Sequence, residues 1–197
     1  MVPEETESTD SPNESMNEAA ELVAGLNAEA RRHLEQGEWE GAVQSYERII
    51  EVLEQEGDEV GKAAALNDAA GVYLTMEDWD QAMAYASASR DLYRERDDPL
   101  NQAVALNNVA AAYNGQGDWQ KAIEVYDEAL ELRRSQNDLA GEAKTLRNLA
   151  IIYAQHGNRN KAKSYLNRAL TLARRAKSRE LLAVIRKTMS QLPKLRR

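Results

Sequence analysis

The stretch ALNNVAAAYNGQGDWQKAIEVYDEALEL, residues 105–132, decides the fold of this chain. Its first half places Leu106 and Tyr113 two helical turns apart, so both lie on one face of a helix. Its second half continues with helical spacing from Ala122 onward. Between the halves, the sequence Gly-Gln-Gly-Asp at 115–118 ends the first helix and supplies an aspartate that suits the N-cap of the second. The stretch therefore predicts a hairpin of two helices.

The same hairpin pattern recurs along the chain with a period of 40 residues, and such self-similarity is the signature of a repeat architecture. Leucine, alanine, an aromatic or histidine ring, and tryptophan each recur at fixed positions of the period. These columns are Leu26, Leu66, Leu106 and Leu146; Ala30, Ala70, Ala110 and Ala150; Ala42, Ala82, Ala122 and Ala162; His33, Tyr73, Tyr113 and Tyr153; and Trp39, Trp79 and Trp119. We therefore predict four hairpins, at about residues 18–57, 58–97, 98–137 and 138–177. The tryptophans share one turn position, so we expect them to pack between repeats.

Residues with N-cap chemistry set the boundaries of the helices. Asp58, Asp98, Asp138 and Ser178 recur every 40 residues just before a predicted first helix. We predict helices near 17–35, 39–55, 59–76, 79–95, 99–115, 119–135, 139–155 and 159–176, followed by a capping helix at 179–192. The acidic, Ser/Pro-containing residues 1–16 have the composition of a disordered tail, and 193–197 form a short basic tail. The repeat domain is thus predicted to span 17–192.

Length and composition restrict the class of protein. The chain has 197 residues, a net charge near −8 and no cysteine. It contains no uncharged apolar run of about 18 residues that could span a bilayer. The lack of cysteine excludes disulfides and thiol catalysis and suits a reducing compartment, so we expect a cytoplasmic protein. The acidic balance argues against nucleic acid as the main partner.

Residues 105–132 resemble a tetratricopeptide repeat almost position for position. Small residues at Ala110 and Ala122 stand where the two helices of that repeat approach closely. The resemblance covers about residues 17–177 and is weakest in the first repeat, where His33 takes a tyrosine position. The 40-residue period is similar to the long-repeat branch of the family. The resemblance implies an all-α, right-handed α-solenoid of four hairpins with a C-terminal capping helix. It also implies a scaffold or adaptor that binds a partner peptide or helix in its concave groove.

No group of residues in the sequence points to an enzyme or a metal site. His33 and His156 have no partner at metal-ligand spacing. The glycines at 115–117 lack the preceding strand and the third glycine of a phosphate-binding loop. Carboxylate pairs such as Glu124 and Glu128 lie on exposed helix faces, without an apolar pocket to tune one as an acid. We therefore expect no catalytic residue, no cofactor and no metal.

Functional residues are expected on the face of each first helix that lies opposite its core stripe. Several asparagines fall there, and an amide offers one acceptor and two donors for the backbone of a bound peptide. Some tetratricopeptide scaffolds hold extended chains with such an asparagine ladder. The family's carboxylate clamp is a poor match, because only Asn108 and Lys144 fit its positions. The predicted groove residues are Arg31, Asn67, Asp68, Asn107, Asn108, Lys144, Arg147 and Asn148.

The C-terminal part of the sequence is strongly basic. Residues 159–197, which we call the basic end, hold 13 Lys and Arg side chains and a single acid, Glu180. Such a surface could bind an acidic protein segment, anionic lipid or nucleic acid, and it could equally serve to keep the end of the array soluble. The candidate residues are Arg174, Arg175, Lys177 and Arg179. The sequence leaves the choice between groove and basic end open, as it does the choice between a monomer and weak self-association.

Overall fold

The computed structural model describes residues 12–192, with side chains from residue 17 onward. These residues form nine α-helices and no β-strand. The helices are α1 (Pro12–Gln36), α2 (Trp39–Gln55), α3 (Glu59–Thr75), α4 (Trp79–Glu95), α5 (Pro99–Gly115), α6 (Trp119–Ser135), α7 (Leu139–Gln155), α8 (Arg159–Arg175) and α9 (Arg179–Gln191). Each helix packs against the next, so α1 to α8 form four successive hairpins. The predicted all-α solenoid with a terminal helix is confirmed.

The helix boundaries agree with the predicted ones to within one residue at almost every end. The exception is α1, which begins at Pro12 instead of residue 17. Residues 12–16, which were predicted to belong to the acidic tail, are therefore helical in their backbone. The remainder of the predicted N-terminal tail, residues 1–11, and the predicted basic tail, residues 193–197, lie outside the described residues.

One turn geometry joins all the described helices and recurs every 20 residues. A residue with positive φ occupies the turn at Gly37, Gly57, Glu77, Asp97, Gly117, Asn137, Gly157 and Lys177. The next N–H donates to the carbonyl five residues back, as from Asp58 to Leu53 at 2.9 Å. Most of these next residues then cap the following helix, as Asp118 does by accepting from the Lys121 N–H at 3.2 Å. Because the turn is constant, α2 to α8 are each 17 residues long.

The two alanine columns form the contact between the helices of each hairpin. All eight residues of these columns are fully buried: Ala30, Ala70, Ala110, Ala150, Ala42, Ala82, Ala122 and Ala162. A methyl side chain at these positions lets two helix backbones approach closely. Tyr113 and Trp119 pack beside this contact in the third hairpin. The small columns thus fix the spacing within a hairpin, and the rings fill the space around it.

The tryptophans pack between neighbouring hairpins, as expected from their shared turn position. The Trp119 ring stacks on His156 of the next repeat, with 4.6 Å between ring centroids. The Trp79 ring lies so close to Gly115 of the next repeat that a Cβ atom there would collide with it. Each ring therefore bridges the start of one second helix to the end of the following first helix.

Helix α9 takes the place of a fifth first helix and ends the described array. Leu181 and Ile185 are buried against the preceding repeat. The positions equivalent to the core residues Leu106 and Ala110 are Arg186 and Ser190, which are both exposed. The face of α9 that a further second helix would cover is therefore polar, as a capping helix requires.

The tryptophan packing yields a stability prediction. We expect Trp119→Ala to lower the free energy of unfolding by about 3 kcal/mol, because truncation leaves a cavity next to His156. Urea unfolding followed by circular dichroism measures this change. Lys163→Ala on the exposed face of α8 is the control and should change stability little. Equal midpoints for both variants would contradict the packing role.

Two glycines in first helices provide a matched test of the contact between repeats. At Gly115 a Cβ atom would collide with Trp79, whereas at Gly71 no such neighbour lies within 4 Å of the added atom. We expect Gly115→Ala to destabilise the fold by about 1–3 kcal/mol through overpacking. Gly71→Ala should stabilise it by about 0.5–1 kcal/mol, because alanine is the better helix former. Both values follow from urea titrations, and a stabilising Gly115→Ala would contradict the close contact.

Candidate partner-binding face

The first helices of the hairpins line the inner side of the array. Among the described residues, the backbones of α3 and α5, of α5 and α7, and of α7 and α9 lie close together, whereas successive second helices meet through side chains, as where the Tyr85 hydroxyl donates to Glu47 Oε1 at 2.9 Å. The array therefore curves toward the first helices. We call the exposed side of α3, α5, α7 and α9 on this inner curve the groove face.

Large apolar side chains are exposed on the groove face. Four of the five that are exposed among the described residues occupy two positions of the repeat, one helical turn apart. Val60 and Leu100 hold the first position and are 48% and 41% exposed, while Val104 and Val184 hold the second and are each 37% exposed. We call these four residues the apolar stripe. The fifth, Leu22, lies on α1 away from both positions.

A cleft lies between α7 and α9, and Val184 of the apolar stripe forms part of its wall. It has a volume of about 420 Å³. Its walls are formed by Ala140, Lys144, Arg147, Asn148, Ser178, Glu180, Leu181 and Val184. This C-terminal cleft brings together three of the predicted groove residues, Lys144, Arg147 and Asn148. The contribution of α9 was not predicted, because its sequence indicates only a capping helix.

The two cations of the C-terminal cleft differ in their surroundings. Lys144 is exposed and takes part in none of the ion pairs formed among residues 17–192. Arg147 is partly buried, and its Nε donates to Thr188 Oγ1 at 2.8 Å. Burial lowers the pKa of Arg147 from its usual value, although a guanidinium remains charged at neutral pH. With Glu180 as the opposing acid, the cleft carries a net positive charge.

The asparagines predicted to bind a partner are engaged between repeats. Asn108 Nδ2 donates to Asn67 Oδ1 at 2.9 Å and to the Asn67 carbonyl at 3.2 Å. Asn107 Oδ1 accepts from Thr145 Oγ1 at 3.0 Å. Asn148 donates to the buried Tyr126 hydroxyl, a bond that opposes the rise in the pKa of Tyr126 caused by burial. Hydrogen bonds from these amides therefore join successive first helices, and their role in binding a partner backbone stays a prediction.

The opposite end of the groove face carries an acid. Asp68 has an accessible side chain, yet the surrounding groove walls remove enough water to raise its pKa, and a hydrogen bond from Asn67 partly offsets that rise. Arg31 on α1 is exposed, and its Nε donates to the Asn27 carbonyl at 3.2 Å. Asp68 and Arg31 act in opposite directions on the pKa of the buried Tyr46. Charge on the groove face thus changes sign from Asp68 to the C-terminal cleft.

The basic end includes the turn between α8 and α9, where its four candidate residues lie and where Ser178 and Glu180 line the C-terminal cleft. Its candidate residues Arg174, Arg175, Lys177 and Arg179 are all exposed. None of the four joins an ion pair within the described part of the chain. Helix α8 contains no acidic residue. The predicted basic residues therefore share one exposed surface.

Two further properties of residues 12–192 bear on function. No group of three or more His, Asp or Glu side chains in this range is arranged to hold a metal ion. None of the helices formed by these residues combines the length and the apolar character that crossing a membrane requires.

Two family models with the description tetratricopeptide repeat match the sequence. One matches residues 101–175 and the other residues 28–60. Together they include the stretch that decides the fold, the end of α1 and the whole of α2. A search of curated proteins finds no significant match.

Solved structures with the same fold include aspartyl phosphate phosphatase F from Bacillus subtilis, at a TM-score of 0.76 and 13% identity over 90% of this chain and 46% of that one. The apo form of RapI aligns at a TM-score of 0.68 and 20% identity, over 87% of this chain and 48% of that one. BtubC (BKLC) from P. vanneervenii aligns at a TM-score of 0.67 and 21% identity, over 81% of this chain and 66% of that one. The chain thus spans about half the length of the first two structures. At these identities the likeness shows the fold.

The amide pairs on the groove face lead to a prediction about stability. We expect Asn108→Ala to lower the free energy of unfolding by about 1–2 kcal/mol, because Asn67 loses its partner. Asn167→Ala on the exposed face of α8 is the control, and it should leave stability unchanged or slightly increased. Urea titration compares the two variants. A neutral Asn108→Ala would show that the pair contributes nothing to the contact between repeats.

Proposed function

Because this chain belongs to the tetratricopeptide repeat family, we propose that it is a protein-interaction scaffold that binds a segment of a partner protein on its groove face. The observation that carries this proposal is the apolar stripe, which runs into the C-terminal cleft. Val60 lies on α3, Leu100 and Val104 lie on α5, and Val184 lies on α9, so the four side chains occupy the same face of the array. Helix α7 carries Ala140 and Lys144 at the two positions.

The exposed apolar side chains favour binding at the groove face on energetic grounds. An exposed Leu or Val gains about 25 cal/mol for each Å² of apolar surface that a partner removes from water. Contiguous exposed apolar surface with a polar border is typical of interaction sites. Asp68 lies beside the stripe on α3, and Lys144 lies between Val104 and Val184 at the second position, so polar groups adjoin the apolar side chains.

We also propose a cytoplasmic location. The absence of cysteine from all 197 residues favours a reducing compartment.

A second candidate function rests on the exposed, acid-free surface of α8. In this alternative, the basic end binds an acidic protein segment, an anionic lipid or nucleic acid and acts in assembly. Such binding would be dominated by charge and would weaken steeply as salt shortens the Debye length from about 10 Å toward 3 Å.

An affinity-capture experiment separates the two candidates. The full chain is compared with a groove variant, Leu100→Ser with Val104→Ser, and with a basic-end variant, Arg174→Glu with Arg175→Glu. Leu22→Ser is the matched control, since it removes an equally exposed leucine outside the groove face. We expect partners captured from native lysate to be lost with the groove variant and retained with the other two.

Unfolding curves must first show that all three variants fold as the native chain does. Because every substituted side chain is exposed, we expect no change above about 0.5 kcal/mol. If partners are still captured by the groove variant but not by the basic-end variant, the result would support the alternative function and contradict the first.

A further inference from the structure

We infer that the segment bound on the groove face is an amphipathic α-helix with an acidic residue near one end. Its apolar side chains pack on the apolar stripe, and its carboxylate lies in the C-terminal cleft beside Lys144 and Arg147. This inference rests on the proposed function and states the chemistry of the partner at the same site.

The engaged amides favour a helical partner over an extended one. An extended segment leaves its backbone N–H and C=O groups to be paired by the groove face. The amides placed to do so already spend part of their hydrogen-bonding capacity within the array, since Asn108 Nδ2 donates to Asn67 and Asn107 Oδ1 accepts from Thr145. A helix satisfies its own backbone and binds through side chains alone. The groove face therefore suits a ligand that brings its own hydrogen bonds.

The apolar stripe sets the spacing of the partner's apolar residues. The axes of packed helices lie about 8–10 Å apart. Since α3 packs against α5, we expect a similar distance between Val60 on α3 and the pair Leu100 and Val104 on α5. A helix advances about 10 Å in seven residues. A partner helix that crosses the first helices would thus place apolar residues at i and i+7. A residue at i+14 would reach α7.

The charges along the groove face set the direction of the partner helix. The residue at i+14 meets Lys144, an exposed cation with no ion pair inside the described chain, and the partly buried Arg147. A carboxylate there is attracted by two cations and repelled by one acid, Glu180. Near the other end, Asp68 disfavours an acid and favours a base. The acidic end of the partner is therefore placed at α7 and α9.

A displayed peptide library tests this inference without a known partner. The library holds 20-residue, helix-forming peptides that are randomised along one face, and selection uses the full chain. Peptides that fail to bind the Leu100→Ser, Val104→Ser variant are retained as groove binders. We expect these to carry apolar residues seven apart and Asp or Glu seven residues beyond them.

Charge exchange and proline substitution then test the two parts of the inference. Lys144→Glu should weaken a selected peptide at least ten-fold, and replacing the peptide's acid by Lys should restore binding. Lys163→Glu, on the exposed face of α8 outside the groove, is the matched control and should leave affinity within two-fold. A central proline in the peptide should abolish binding, because it breaks a helix.

The outcomes separate this inference from the proposed function. If no peptide depends on Leu100 and Val104, the groove face is not a binding site and both proposals fail. If groove binders tolerate the central proline, or show no preference for an acid, the inference of an acidic helix fails while the groove function stands. If Lys163→Glu weakens binding as much as Lys144→Glu does, the inference is also overturned.

Discussion

The close contact of two helices through alanine is the interaction on which the rest of the structure depends. Ala110 and Ala122 are fully buried where the helices of the third hairpin meet, and the same columns are fully buried in the other three. A hairpin this thin cannot enclose a core of its own. Its larger side chains, such as Trp119, are buried only when the next hairpin packs against them. Stability therefore arises from stacking, as it does in repeat proteins generally.

The constant turn converts this local contact into a regular array. Since a positive-φ residue recurs every 20 positions, each helix begins in the same register as the one two places before it. First helices then lie beside first helices, and the chain curves toward them. Non-glycine residues such as Glu77 and Asn137 adopt this conformation, which shows that the turn is maintained where glycine is absent.

Most positions that pack are uniform among the repeats, whereas positions on the groove face differ. The column that contains Ala64, Val104, Lys144 and Val184 has no packing requirement and changes from apolar to charged and back. Some packing positions also differ. Arg133 is 4% exposed where the second repeat has Tyr93, and it is held by Asp138 at 2.6 Å. A buried cation is tolerated there because the partly exposed carboxylate of Asp138, in the turn that follows, pairs with its guanidinium.

The sequence by itself determined the helices, their turns, the alanine contact and the tryptophan packing, because each follows from spacing within one period. The availability of a side chain was decided only by the tertiary structure. Asn108 reads as a free groove amide, yet it bonds to Asn67, 41 residues away and one position out of register. The contribution of α9 to the C-terminal cleft could not be predicted from the sequence either, because it depends on the packing of α9 beside α7. Periodicity gives the face on which a residue lies, while the distance between neighbouring helices determines what that residue contacts.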